Sequence, residues 1–122
     1  NMRLLFLGDI VGKTARLSLE ENLPNIKKKI LIDFVLVNAE NATSGVGLSP
    51  SHAKLLFNAG VDCISLGDHA FDQNEMINFS ETDNRIIRPI NYKEIRGSAQ
   101  CKSAVMLAAL FAPGKILSFL II

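Results

Sequence analysis

An α/β architecture with a mainly parallel sheet built from βαβ units is what this sequence predicts, and three observations carry that prediction. Three apolar runs, at residues 2–7, 33–41 and 61–66, have the character of strands covered on both faces. Helical signals follow each of them. Each run also stops at polar residues, as strands do at the rim of an open sheet. Strands alternating with helices place parallel neighbours in one sheet through right-handed crossovers. A C-terminal β-hairpin is expected beyond the alternating part.

The elements follow in order. After the first strand and a loop, Leu19, Leu23, Ile26 and Ile30 recur on one helical face. Pro24 falls inside that helix and is expected to kink it or to divide it in two. The second strand, "DFVLVNAEN", runs into the loop "ATSGVGL", where Gly45 and Gly47 permit turns that other residues resist. Ser49 as N-cap, Pro50 at the first helical position and Gly60 past the end delimit the next helix. The third strand ends in "GDHAFDQNE", where Asp72 and Glu75 resemble a capping box opening a third helix. Beyond "RPINYKEIRGSAQ" the alternation stops. The last run, "SAVMLAALFAPGKILSFLII", is close to membrane-span length, but Pro113, Gly114 and Lys115 interrupt it. A central lysine costs about 2.5–3.5 kcal/mol on insertion. Two strands joined at a Pro-Gly turn explain the interruption better, with a helix over residues 104–111 as the alternative.

Composition narrows the function classes. Hydrophobic residues make up 48% of the 122-residue chain and charged residues 20%, so it builds a core and is not disordered. A net charge of +1 gives no global pull toward nucleic acid or an acidic partner. Lys27, Lys28 and Lys29 read as a solvated helix end. Cys63 and Cys101 form no CxxC pair, which points to a reducing, cytoplasmic setting without disulfide or zinc knuckle. No secretory signal is present, and Asn1 ahead of Met2 reads as a processing remnant.

The stretch "LLFLGDIVGKTARL" poses the first chemical question, because Gly-Lys-Thr after an apolar run suggests a phosphate-binding loop. That motif needs four residues between its first glycine and the Gly-Lys pair. Here the position that satisfies the spacing is Leu7, so a nucleotide-binding loop is excluded. The alternative is a strand end that presents Asp9. In an open parallel sheet, ligands bind beyond the carboxyl ends of the strands. Those ends carry Asp9, then Glu40 and Asn41, then Asp68 and His69. Carboxylates, an amide oxygen and an imidazole suit Mn, Fe, Zn or Mg. A pair of such cations about 3.5–4 Å apart is one established device for phosphoester hydrolysis. Taken singly, each residue is more readily a helix cap or a hydrogen-bonded loop residue than a catalytic one. The joint pattern over three strands is what favours a site. His52 falls on a helix away from that edge and reads as surface, and Lys13 as a solvated helix start.

"LFLGDIVGK", "DFVLVNAENATSGVGL", "AGVDCISLGDHAFDQNE" and "RPINY", in this order and spacing, resemble the calcineurin-like metallophosphoesterases. The branch most similar is the bacterial one with 2′,3′-cyclic-nucleotide phosphodiesterase activity. The resemblance covers residues 2–92 of what reads as a single, incomplete domain, and residues 93–122 diverge from it. It implies half of an α/β sandwich of two sheets with helices outside. It also implies two divalent metals, iron or manganese, with Asp9 holding one and Glu40 contacting both. Asn41 and Asp68 would lie among the ligands. His69 would stand beside the second metal, where it protonates the leaving alkoxide or stabilises the phosphoryl group. The implied substrate is a phosphodiester or cyclic nucleotide, with no specific nucleic-acid or membrane partner.

Two departures qualify the expectation. The chain reads Gly-Asp-His where the family has Gly-Asn-His, so Asp68 adds a negative charge facing an anionic substrate. That charge would also hold His69 more firmly protonated. Family members further complete the site with three histidines from their second half, whereas His52 and His69 are the only two here. Weak or no activity of this chain alone is therefore expected. The competing expectation is a non-catalytic fragment or interaction module that self-associates through its C-terminal strands, or complements a missing half.

Overall fold

A computed structural model describes residues 3–88 of the chain. Strand β1 (Leu4–Leu7) leads into helix α1 (Gly12–Lys29), β2 (Phe34–Asn38) into α2 (Pro50–Ala59), and β3 (Cys63–Ser65) into α3 (Glu75–Thr82). Strand β4 (Ile86–Ile87) follows. The four strands form one sheet in the order β1-β2-β3-β4, and every pairing is parallel. The α/β class expected from the sequence is the observed one. The C-terminal hairpin, and with it the question of self-association, lies outside the described residues.

Each strand is shorter than its apolar run. Leu4 to Leu7 pairs in register with Phe34 to Val37, and Leu36 to Asn38 with Cys63 to Ser65. Side chains alternate across such a sheet. Val35 and Val37 are fully buried while Phe34, Leu36 and Asn38 are half-buried. The buried set meets Leu19 and Leu23 of α1, Leu56 of α2 and Met76 of α3 in one core. The helices form a single layer, with α1 against α2 and α2 against α3. A strand order that always steps to the next neighbour requires this, because right-handed crossovers then return every helix to the same face.

Three expectations about helices need correction. Helix α1 runs unbroken from Gly12 to Lys29, so of the kink or division expected at Pro24, the division does not occur. Leu23 beside it is buried to 1% exposure and, with Leu19, anchors the helix, so tertiary packing outweighs one missing backbone donor. Helix α3 is not opened by Asp72: its N-cap is Asn74, with no side-chain capping bond. And Ile30 is not on the buried face but is the C-cap of α1, 41% exposed. Helix α2 is as expected. Ser49 accepts from His52 N, Pro50 opens the first turn, and Gly60 closes the helix at φ 112°, where a side chain would be strained. Strand β4 had no sequence signal, since two apolar residues are too few to show a period. Among the described residues, no helix is long and apolar enough to cross a membrane.

Candidate functional site

The loops leaving β1, β2 and β3 are stitched together at the carboxyl end of the sheet. Past β1, Ile10 N donates to Asn38 O at 3.1 Å and Gly12 N to Asn41 O at 3.0 Å. Those two bonds follow directly after Asp9 and lay its loop over the end of β2. The Gly8–Asp9 peptide is cis. The loop after β2 is tied down by the buried Arg16 of α1, whose Nε donates to Ala42 O at 2.8 Å. Its first residue continues the sheet ladder, Ala39 N donating to Ser65 O at 3.2 Å. The backbone therefore brings the three strand ends to one rim before any side chain is considered.

Side chains extend the connection. Asn41 Nδ2 donates to Asp9 Oδ2 at 2.7 Å, which turns the Asn41 amide oxygen away from that carboxylate. Glu40, next along the chain, accepts from His69 N through Oε2 at 3.3 Å and from Asn38 Nδ2 through Oε1 at 3.4 Å. Asp9–Asn41 and Glu40–His69 are thus two hydrogen-bonded pairs, brought side by side because Glu40 and Asn41 are consecutive residues. Asp68 stands outside both. Its side chain is 86% exposed and lies 3.9 Å from His69 Nε2, beyond hydrogen-bond range.

Gly67 explains how Glu40 fits. A Cβ on Gly67 would sit 2.5 Å from Glu40 Cδ, inside the carboxylate's own volume. The glycine before Asp68 is therefore needed for the close approach of a protein carboxylate rather than of a ligand.

His69 Nδ1 lies 2.6 Å from Asp72 Oδ2, within the range of a charge-assisted bond. Its pKa is raised from the ordinary histidine value, first by that bond, and only then by the charges of Asp68, Asp72 and Glu40. The sequence assigned that effect to Asp68, but the stronger cause is Asp72. His52 is not a bare surface residue either. It is half-buried, with Nδ1 2.7 Å from Thr43 Oγ1. Burial, helped by Arg16 nearby, lowers its pKa. Lys13 is exposed in the first turn of α1, as a solvated helix start should be.

Oxygen donors from Asp9, Glu40 and Asn41 are the right kind for a hard or borderline divalent cation. Their number falls short. Among the described residues, no three His, Cys, Asp or Glu side chains lie close enough together to hold a metal ion. A cavity of about 410 Å³ opens between β1 and α1, but Leu7, Ile10, Leu19, Leu23 and Ile26 dominate its lining. Of the site residues it touches only Asp9, so it is not where the polar groups converge.

Sequence reasoning missed Asp72, Asn38 and Gly67 as parts of this arrangement. Asp72 carried a competing helix-cap signal, and Asn38 looked like an ordinary strand end. What Gly67 accommodates is visible only in three dimensions.

Comparison with known proteins gives the family of the chain. Residues 5–109 match the sequence profile of the YmdB-like protein family. A Mycoplasma genitalium protein named as a phosphatase/phosphodiesterase is 41% identical over 91 residues, 75% of this chain and 32% of that protein. A Bacillus subtilis protein named 2′,3′-cyclic-nucleotide 2′-phosphodiesterase is 37% identical over 93 residues, 76% of this chain and 35% of that one. The chain thus spans about a third of the length of these relatives. Among solved structures, a hypothetical protein from Thermus thermophilus superposes with a TM-score of 0.72 at 38% identity, covering 80% of this chain and 38% of that one. A Mycoplasma pneumoniae phosphatase superposes at 0.70 with 39% identity, covering 74% of this chain and 32% of that one. With matched motifs, matched fold and a profile that extends over most of its length, this chain is a member of the YmdB-like protein family.

Proposed function

We propose that the chain contributes the oxygen-donor part of a metal-dependent phosphoesterase site, acting on phosphodiesters and on cyclic nucleotides in particular. The single observation that carries this reading is that two hydrogen-bonded pairs, Asp9 with Asn41 and Glu40 with His69, bring the three strand ends together at one rim of the sheet. Relatives named as phosphodiesterases supply the reaction class. In this reading Asp9, Glu40, Asn41 and Asp68 are this chain's share of the ligands to divalent cations, iron or manganese. Such cations, when bound, neutralise charge on the phosphoryl oxygens and make water a nucleophile at neutral pH.

The chain's own residues then have separate tasks. Asn41 holds Asp9 in place through its amide, and Gly67 leaves room for Glu40. Glu40 fixes the backbone at His69. His69 carries a proton at Nε2 toward the leaving alkoxide, a role that suits a histidine whose pKa is raised. Because the assembled donors are few, turnover by this chain alone is slow.

The test is hydrolysis of an activated phosphodiester, bis-p-nitrophenyl phosphate, with and without added manganese. The expected result is slow, manganese-dependent release that Asp9→Asn and His69→Ala each remove. Release that neither substitution alters, or that is indifferent to manganese, overturns the reading.

A further inference from the structure

The pairing of Asp72 with His69 has no account in the reading above, and three observations single it out. The first is chemical: the Nδ1–Oδ2 separation is 2.6 Å, whereas the competing carboxylate, Asp68, is 3.9 Å from Nε2. Only the shorter is a hydrogen bond, so it decides which ring nitrogen is engaged. The second is local. An aspartate three residues before a helical Glu would ordinarily cap the helix, yet Asn74 takes the N-cap position and Asp72 turns back to the ring. The third is energetic. Asp72 and His69 side chains are 41% and 42% exposed, so the pair rescues no buried group, and exposed ion pairs add little stability. Helix capping and folding stability therefore leave the pairing unexplained, and orientation does not.

The loop that carries Asp72 is itself anchored. Gln73 Nε2 donates to Val46 O at 3.2 Å, tying it to the loop after β2. His69 is consequently fixed at two points: its backbone N–H on Glu40 and its ring on Asp72. When one ring nitrogen of a neutral imidazole donates to a carboxylate, the proton is settled there and the other nitrogen is left bare.

We propose that Asp72 is the positioning residue of His69, fixing the ring orientation and the Nδ1–H tautomer so that Nε2 is the nitrogen that meets the phosphoester. The assignment rests on the proposed role of His69, although its geometry does not. In mechanism, the ring enters as the imidazolium; Nδ1 keeps its proton on Asp72 throughout, Nε2 gives its proton to the leaving oxygen, and the neutral Nδ1–H ring remains.

Long-range ¹H–¹⁵N correlation on the uniformly labelled full chain, at a pH where His69 is neutral, reads the tautomer directly. The expected spectrum has Nδ1 protonated and Nε2 unprotonated. Asp72→Ala removes the unprotonated Nε2 signal in favour of the Nε2–H form. Asp72→Asn, whose amide oxygen still accepts, retains part of it. A protonated Nε2 in the neutral wild-type ring, or a spectrum that Asp72→Ala leaves unchanged, overturns the proposal, and the wild-type spectrum suffices even if a variant folds poorly. The two readings fail separately. An Nδ1–H tautomer in a chain that hydrolyses nothing keeps the Asp72 assignment and defeats the function. Hydrolysis with an Nε2–H ring does the reverse.

Discussion

Gly67 shows how one missing atom group organises the rim. Its backbone does not require a glycine conformation, so the constraint lies entirely in the space taken by the Glu40 carboxylate. In Gly67→Ala the carboxylate, as the end of a flexible side chain, swings aside instead of straining the backbone. Folding stability should then fall by only about 1 kcal/mol, the worth of one hydrogen bond. The bond from His69 N to Glu40 should be lost outright. Urea unfolding together with amide exchange at His69 checks this. A large stability loss, or an unchanged His69 amide, contradicts it. Glu40, Asn41, Asp9 and His69 were themselves legible in the sequence as strand-end polar residues. Their spacing said where they were, but not which carboxylate would hold which neighbour.

Pro24 makes the corresponding point for an element. Inside α1 it removes one backbone donor, a defect that costs about 3 kcal/mol relative to alanine in a helix interior. The helix persists because Leu19 and Leu23 are buried on its inner face while Pro24 itself faces solvent. Pro24→Ala should restore the donor without touching the core, raising stability by about 1–3 kcal/mol, read as a higher thermal midpoint. A lower midpoint would mean that the proline shapes the packing of α1 rather than being tolerated by it. Helix α2 was legible to its ends because its signals are local: Ser49, Pro50 and Gly60 act on adjacent backbone groups. The start of α3 was not. There the capping signal of Asp72 competed with another local partner, His69 three residues before it, and lost.

Among the described residues, three groups with shifted pKa values bear on the pH dependence of stability, and their signs differ. The pKa of His52 is lowered, chiefly by burial. Between its folded value and about 6.5 the unfolded chain binds more protons, so its contribution is lost as pH falls through that window. The pKa of His69 is raised, first by Asp72, so its contribution is complete below about 6.5 and is lost as pH rises through the folded value. The two windows meet near about pH 6.5 without overlapping, so stability from these two groups is greatest there. Asp83 is held below the usual carboxylate range, first by its bond from Arg85, whose Nη2 lies 2.6 Å from Asp83 Oδ2. Its contribution is present above about pH 3.8 and disappears as pH falls through the folded value. Urea midpoints should therefore be highest near about pH 6.5, decline on either side of it, and drop further below about pH 4. Asp83→Asn should flatten the acidic drop while costing about 1 kcal/mol at neutral pH, a figure reduced for solvent screening. An acid limb equally steep in that variant assigns the drop to other carboxylates.

The α/β class, the parallel sheet and the residues at its strand ends were determined by the sequence alone, because apolar runs and polar stops are properties of contiguous residues. Only the tertiary structure decided that Gly67 makes room for Glu40 and that His52 is held by Thr43. Each of these depends on which side chains meet once the loops are laid over one another. Separation along the chain carries no record of that meeting, since burial and hydrogen bonding are settled by neighbours in space.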